Sequence, residues 1–165
     1  MADDSPRRLT LLYQLYLTSQ ASRGFMRLAL ADAGMGGEEY ALFSYLYANG
    51  SRSLSQVARD FGMPITTLAG LIAQHIEAGE IERLPHPTDR RARLLALTAT
   101  GRERLELAIP EFTAAYRGLL AQLEEAKVNL DELYEALAAL RAGVTRTSEL
   151  LQAERGGTSK GIDRP

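Results

Sequence analysis

Two short helical runs hinged at Gly62, with two apolar strand-like runs close behind, constrain this chain more than any other feature. Ser53-Leu54-Ser55-Gln56 has the form of a capping box, in which the serine hydroxyl and the glutamine amide each accept a free backbone N–H. The helix it opens, Leu54 to Phe61, turns Val57, Ala58 and Phe61 to one side. Pro64 suits the first position of a second helix, because its fixed φ is helical and its missing N–H is not needed there. That helix runs to Ala78 and is closed by Gly79. From Arg83 to Thr98 the pattern becomes two short strands around a loop containing Pro85 and Pro87, with Asp89, Arg90 and Arg91 at its tip. Two short helices about a glycine turn, backed by a hairpin, form a helix-turn-helix with a two-stranded wing.

Long helices flank this unit. Ser5-Pro6 reads as a cap and first position, and Leu12, Tyr13, Tyr16, Leu17, Phe25 and Leu28 then recur at helical spacing until Gly34-Met35-Gly36-Gly37. Glu38-Glu39 start a second helix with acids where its positive end favours them, and Ala41, Leu42, Tyr45 and Leu46 form its apolar face up to Asn49-Gly50. After Thr98 a long helix carries Leu105, Ile109, Phe112, Tyr116, Leu119 and Leu123, with a kink expected at Pro110. Asn129-x-x-Glu132 opens a last helix that turns Leu133, Leu137, Leu140 and Val144 inward and ends near Leu151. The fold class is therefore mainly α. Residues 1–34 form an N-terminal dimerisation helix, 38–100 the winged unit, 101–152 C-terminal dimerisation helices, and 153–165 a disordered tail.

Among the chain's 165 residues the formal charge is −2, an unusual balance for a nucleic-acid binder. What a phosphate backbone feels, however, is the local field. Arg90, Arg91, Arg93, Arg102 and Arg104 cluster in and after the wing, whereas Glu124, Glu125, Asp131, Glu132 and Glu135 gather near the C-terminus. Without cysteine there is no disulfide or thiolate metal site. No apolar run approaches the ~20 residues that span a bilayer, and the N-terminus carries no signal-like segment. A cytoplasmic protein without membrane contact is expected.

The chemistry-bearing residues are of the DNA-contact kind. In the second helix of the pair, Ile65, Thr66, Thr67, Ala69, Gly70 and Gln74 are placed to meet base edges in a major groove. Asp89, Arg90, Arg91 and Arg93 belong to the wing, where a guanidinium can enter a narrow minor groove and Asp89 can pair with Arg91 to orient it. Ser53 and Ser55 are candidates for phosphate contact. His75 and His86 lie on different elements with no constellation around them, His75 reading as a half-buried core histidine. No catalytic residue, metal site or cofactor is expected.

The order of elements, together with Thr66-Thr67, Gly79-Glu80-Ile81-Glu82-Arg83, Asp89-Arg90-Arg91 and Leu97-Thr98-x-x-Gly101, resembles the MarR family of bacterial transcription regulators. The chain departs from that family's pattern in having Ala69 and Gly70 where an arginine often stands, no lysine or arginine from Pro64 to Gly79, and Glu80 in an apolar place. The resemblance implies a homodimer on a pseudo-palindromic duplex, acting as a repressor released by a small phenolic or anionic ligand. Tyr13, Tyr16, Arg23 and Tyr45 are then candidates for the ligand pocket. Two other classes fit the residues: an architectural DNA binder without sequence preference, and a ligand- or protein-binding scaffold that has lost its operator.

Overall fold

A computed structural model describes residues 6–89 and 91–158, with side chains described for 10–89 and 91–155. The elements in chain order are α1 (Pro6–Ala29), α2 (Gly37–Asn49), β1 (Arg52–Ser53), α3 (Leu54–Phe61), α4 (Ile65–Glu77), β2 (Ile81–Pro85), β3 (Arg93–Leu97), α5 (Ala99–Glu125) and α6 (Leu130–Thr158). They divide into two compact units, Met1–Gly118 and Leu119–Pro165. Ser5 and Arg90 lie outside the described residues, as do 159–165 of the expected tail. Residues 153–158, also expected in that tail, are helical and extend α6 beyond Leu151.

The first unit is built on leucines and aromatics that helical and strand periods turn to one side. Leu30, Leu42, Phe43, Leu46, Val57, Leu68, Ile72, Ile81 and Leu105 are all but completely buried. In α2 the buried side chains are Tyr40, Leu42, Phe43 and Leu46, while Ala41 is exposed. The apolar face is thus rotated from the one expected, because the two large rings at 40 and 43 outweigh a single methyl. Phe112 of α5 gathers Tyr40 (4.6 Å between centroids), Phe25 of α1 (6.5 Å) and Tyr116 (5.7 Å) into an aromatic cluster.

β2 and β3 form the two-stranded wing, and β1 extends it to a three-stranded sheet in the order β1-β3-β2. β1 adds only Arg52↔Leu95 and Ser53↔Leu94 to the hairpin. Ser53 therefore serves twice, as a strand residue and as the cap of α3, whose capping box with Gln56 is formed. On central β3, Leu95 and Leu97 are buried and alternate with the less buried Leu94 and Ala96, the period of two that one packed face requires. Pro85 ends edge strand β2 opposite Arg93, where a residue without an N–H breaks no central ladder.

Glycine sets the joints between these elements. Gly62 takes a left-handed φ of 62° after α3, and its N–H satisfies Ala58 and Arg59 carbonyls. Gly79 takes φ 72° after α4, so that its N–H reaches Ile76 O and the Glu80 N–H reaches His75 O. Thr98 begins α5 with four bonds: its N–H to Glu80 O, its hydroxyl to Gly79 O (2.7 Å), its Oγ1 accepting the Gly101 N–H, and its carbonyl accepting the Arg102 N–H. α5 continues through Pro110 without interruption.

In the second unit, Asn129 caps α6 by accepting the Asp131 and Glu132 N–H groups. Leu133 and Leu140 are half-buried there, but Leu137 and Val144 are exposed rather than covered. Helices of one chain offer them no more cover than this.

Candidate nucleic-acid interface

Helix α4 divides cleanly into two faces. Leu68, Ile72 and His75 are buried, whereas Ile65, Thr66, Thr67, Gly70, Ala73 and Gln74 are exposed and Ala69 is half-buried. Of the six residues singled out on this helix, five thus present themselves to solvent and Ala69 only in part. Ile65 is the outlier among them, a large apolar side chain left 51% exposed in the first turn. Leaving it there forgoes roughly half of the about 1.5–3 kcal/mol that full burial of an aliphatic side chain contributes.

The wing loop is ordered by polar bonds within itself. His86 Nδ1 accepts the Thr88 and Asp89 N–H groups at 3.3 and 3.2 Å. Asp89 Oδ1 accepts the Arg91 N–H at 2.9 Å, and the Ala92 N–H closes back on Asp89 O. Asp89 was expected to pair with the Arg91 guanidinium; instead its carboxylate holds the backbone of the turn, as short acidic side chains do two residues before an amide. Arg91 is exposed, with no ion pair among the described residues, and Arg90 lies outside them. Exposed Arg93 donates from its own side chain to Ala92 O. Ser53 Oγ accepts the Gln56 N–H and lies 3.1 Å from exposed Ser55 Oγ, so only Ser55 is left largely to solvent.

The four tyrosine and arginine positions considered for a ligand fall on two helices, three on α1 and Tyr45 on α2. Tyr13, Tyr16 and Arg23 lie exposed on α1. Tyr45 is engaged elsewhere: its hydroxyl donates to Asp60 Oδ2 at 2.5 Å and its ring meets Phe61 edge-on. That hydrogen bond, with burial and the Asp60 charge adding to it, raises the phenol above its usual range. Spacing alone cannot reveal that a helix-turn-helix aspartate claims it.

The cluster that sequence spacing missed lies behind α4. His75 Nδ1 donates to Glu80 Oε2 at 2.8 Å, and Glu39 Oε1 lies 3.9 Å away. Arg104 Nη1 contacts both Glu80 Oε1 and Glu39 Oε1, and its Nη2 donates to Gly34 O at 3.2 Å. Glu39 Oε1, 2.8 Å from that guanidinium, is paired by charge without an aligned hydrogen bond, and His75 Nε2 is buried without a partner. His75 is fully rather than half-buried, at 6% exposure, and Glu80 matches it. The expectation of no constellation around a histidine is therefore corrected. Glu39, His75 and Glu80 bring three donor atoms within 4.8 Å, a spacing that suits a cation, and Arg104 supplies one. Burial raises the Glu80 carboxyl, but the bonds from His75 and Arg104 and their charges lower it further, to a net value below the ordinary carboxylate range. Glu80, which stands where the resembled pattern has an apolar residue, joins His75 to Arg104 in this cluster.

The chain matches no protein-family model and no curated protein. Solved structures do match it. A MarR-family transcriptional regulator from Rhodococcus sp. RHA1 superimposes with a TM-score of 0.68 at 18% identity, over 84% of this chain and 98% of that one. The transcriptional repressor CouR, bound to a 23-mer DNA duplex, gives 0.68 at 22% identity over 84% and 99%. CouR from Rhodococcus jostii RHA1 bound to p-coumaroyl-CoA gives 0.68 at 20% identity over 79% and 91%. Among the described residues no helix is long and apolar enough to cross a membrane. The six helices and the small antiparallel sheet are the winged-helix fold of the MarR-family regulators.

Proposed function

We propose that the protein is a MarR-type transcription regulator that binds duplex DNA as a homodimer in a bacterial cytoplasm and represses until a small ligand releases it. The observation that carries this reading is the pairing of an exposed α4 face, uncharged up to Gln74, with an exposed arginine on a wing loop held in shape by His86 and Asp89. Both belong to a fold whose CouR neighbour was solved on duplex DNA. In this reading Ile65, Thr66, Thr67, Gly70 and Gln74 face bases, Arg91 and its neighbours Arg90 and Arg93 face the minor groove or its phosphates, and Ser55 meets the backbone. Phosphate contacts fix the register and base contacts select the site.

The homodimer is supported by what each unit leaves uncovered. α1 exposes Leu11, Leu12, Tyr13, Tyr16 and Leu17, and α6 exposes Tyr134, Leu137, Val144, Leu150 and Leu151. A second copy would cover such faces and bring two α4 helices to successive major grooves, about 34 Å apart. Sedimentation at micromolar concentration should give a dimer; a monomer would remove the two-fold reading. The ligand is supported by CouR carrying p-coumaroyl-CoA, an aromatic thioester with anionic groups.

The test is a gel shift on duplexes that the protein itself selects from a random pool, titrated with salt. Arg91→Ala should weaken binding and reduce the slope of log K against log salt by about one per wing. An unchanged slope would take Arg91 off the DNA, and failure to retain any duplex at low salt would overturn the regulator reading.

A further inference from the structure

The exposed face of α4 says something about the kind of sequence it can read, provided that this face does meet DNA as proposed above. From Pro64 to Gly79 there is no lysine or arginine, and the one histidine, His75, is turned inward onto Glu80. The commonest specific major-groove contact is a guanidinium or ammonium on guanine O6 and N7, and α4 has no group able to make it. What it presents instead are methyl groups: Ile65, the Thr66 and Thr67 side chains, and Ala73. Thymine is the base that shows a methyl in the major groove. Gln74, exposed on the same face, is the residue type that bonds adenine N6 and N7, thymine's partner.

The centre of this face is also low. Gly70 is exposed, and a Cβ built on it meets nothing within 4 Å, so nothing inside the protein requires glycine there. In an exposed helix interior glycine is the poorer residue by about 1 kcal/mol relative to alanine. A bare backbone at 70 beside Ala73 lets the helix axis approach the base edges closely enough for short methyl-bearing side chains to reach them. Glu77, the acid on this side, stands at the far end of α4, about 16 Å along the axis from Thr66 at 1.5 Å per residue. The exposed wing Arg91 points the same way chemically, since narrow minor grooves, where arginine is held best, occur at A·T runs.

We infer that α4 reads A·T pairs through thymine methyl groups and Gln74 and makes no guanine-specific contact in its half-site. The site is then a methyl-dependent one, not a charge-read one.

The test uses the full chain and the duplex it selects from a random pool, resynthesised with uracil for thymine in both half-sites, or with 7-deazaguanine for guanine. Uracil lacks only the 5-methyl group, so each lost contact should weaken binding about fourfold, the equivalent of one buried carbon. Removal of guanine N7 should leave affinity unchanged. Thr66→Ser with Thr67→Ser deletes two protein methyls and keeps both hydroxyls on exposed positions that do not carry the fold. Ile65→Ala removes the exposed isoleucine. Both variants should shrink the uracil penalty. A selected duplex that binds equally well with uracil, or one weakened by 7-deazaguanine within the half-site, overturns the methyl reading while leaving DNA binding intact. If no duplex is selected at all, it is the regulator reading that fails, and this one with it.

Discussion

Gly101→Ala is expected to destabilise the folded chain by about 2–3 kcal/mol, the upper part of the range for forcing a methyl into a close-packed site. The added Cβ would stand 2.2 Å from Glu80 O, 3.0 Å from Glu80 C and 3.1 Å from a Leu97 methyl. A flexible side-chain end could swing aside, but a backbone carbonyl held from several directions has little room to do so. Glu80 O accepts the Thr98 N–H, the Glu80 N–H is bonded to His75 O, and the Glu80 carboxylate is bound by His75 and Arg104. For a chain of this size each kcal/mol moves the thermal midpoint about 2–4 °C, so a fall of roughly 5–10 °C is expected. Gly70→Ala is the matched control, an identical change on an exposed helix face with nothing within 4 Å. It should raise stability by up to about 1 kcal/mol through helix propensity alone. Urea unfolding of both variants at one protein concentration decides the matter, since self-association makes stability concentration-dependent. A Gly101→Ala midpoint within error of the parent would show that α5 does not start hard against Glu80.

The same contact explains why part of this fold could be read from sequence and part could not. Leu97-Thr98-x-x-Gly101 presses on the distant turn at Gly79 and Glu80, but its own cap is local and legible: Thr98 accepts the N–H of Gly101, the third residue of the helix it begins. The capping boxes at Ser53 and Asn129 and the left-handed turn at Gly62 are of the same kind, with partners no more than five residues apart. β1 escaped because two residues carry no period, and only the distant Leu94 and Leu95 make them a strand. The bond from Tyr45 to Asp60 is not legible, because it crosses from α2 to α3 and nothing near Tyr45 in sequence announces it. The division of α4 is the favourable middle case. Leu68 and Ile72 recur at helical spacing and are buried, and the contact candidates, chosen for their place on the second helix of the pair, fall on its exposed side apart from half-buried Ala69. His75 shows where that logic thins. Its inward position was readable, but its full burial depends on carboxylates contributed by α2 and by the residue after α4, and on an arginine from α5.

Arg104→Ala is the second change with a large expected effect, about 2–4 kcal/mol at neutral pH, because it leaves two carboxylates without the cation that permits their burial. The figure sits below the full cost of orphaning a buried pair because the Arg104 side chain is 35% exposed and water screens part of its charge. Glu80 has the most to lose, being almost fully buried, whereas Glu39 also accepts the Gly36 N–H through its other oxygen. The pH dependence follows from the direction of the Glu80 shift. Its carboxyl is held below the ordinary value in the folded chain, so its contribution is fully present above the unfolded pKa of about 4.3. That contribution is lost as pH falls through this value towards the lower folded one. In Arg104→Ala the lowering influence of the guanidinium is gone and burial, which raises the carboxyl, stands opposed only by His75. The stability gap between parent and variant should therefore be widest near pH 7 and narrow below about pH 4.5, as protonation relieves the uncompensated charge. Adding Glu80→Gln to Arg104→Ala should restore part of the loss, since a neutral amide can be buried against His75 at lower cost than an unpaired anion. Urea unfolding of the parent, the two single variants and the double variant between pH 3.5 and 8 measures this coupling. A gap that stays constant across that range, with no recovery in the double variant, would mean that Arg104 acts through its bond to Gly34 O and through packing, not through charge.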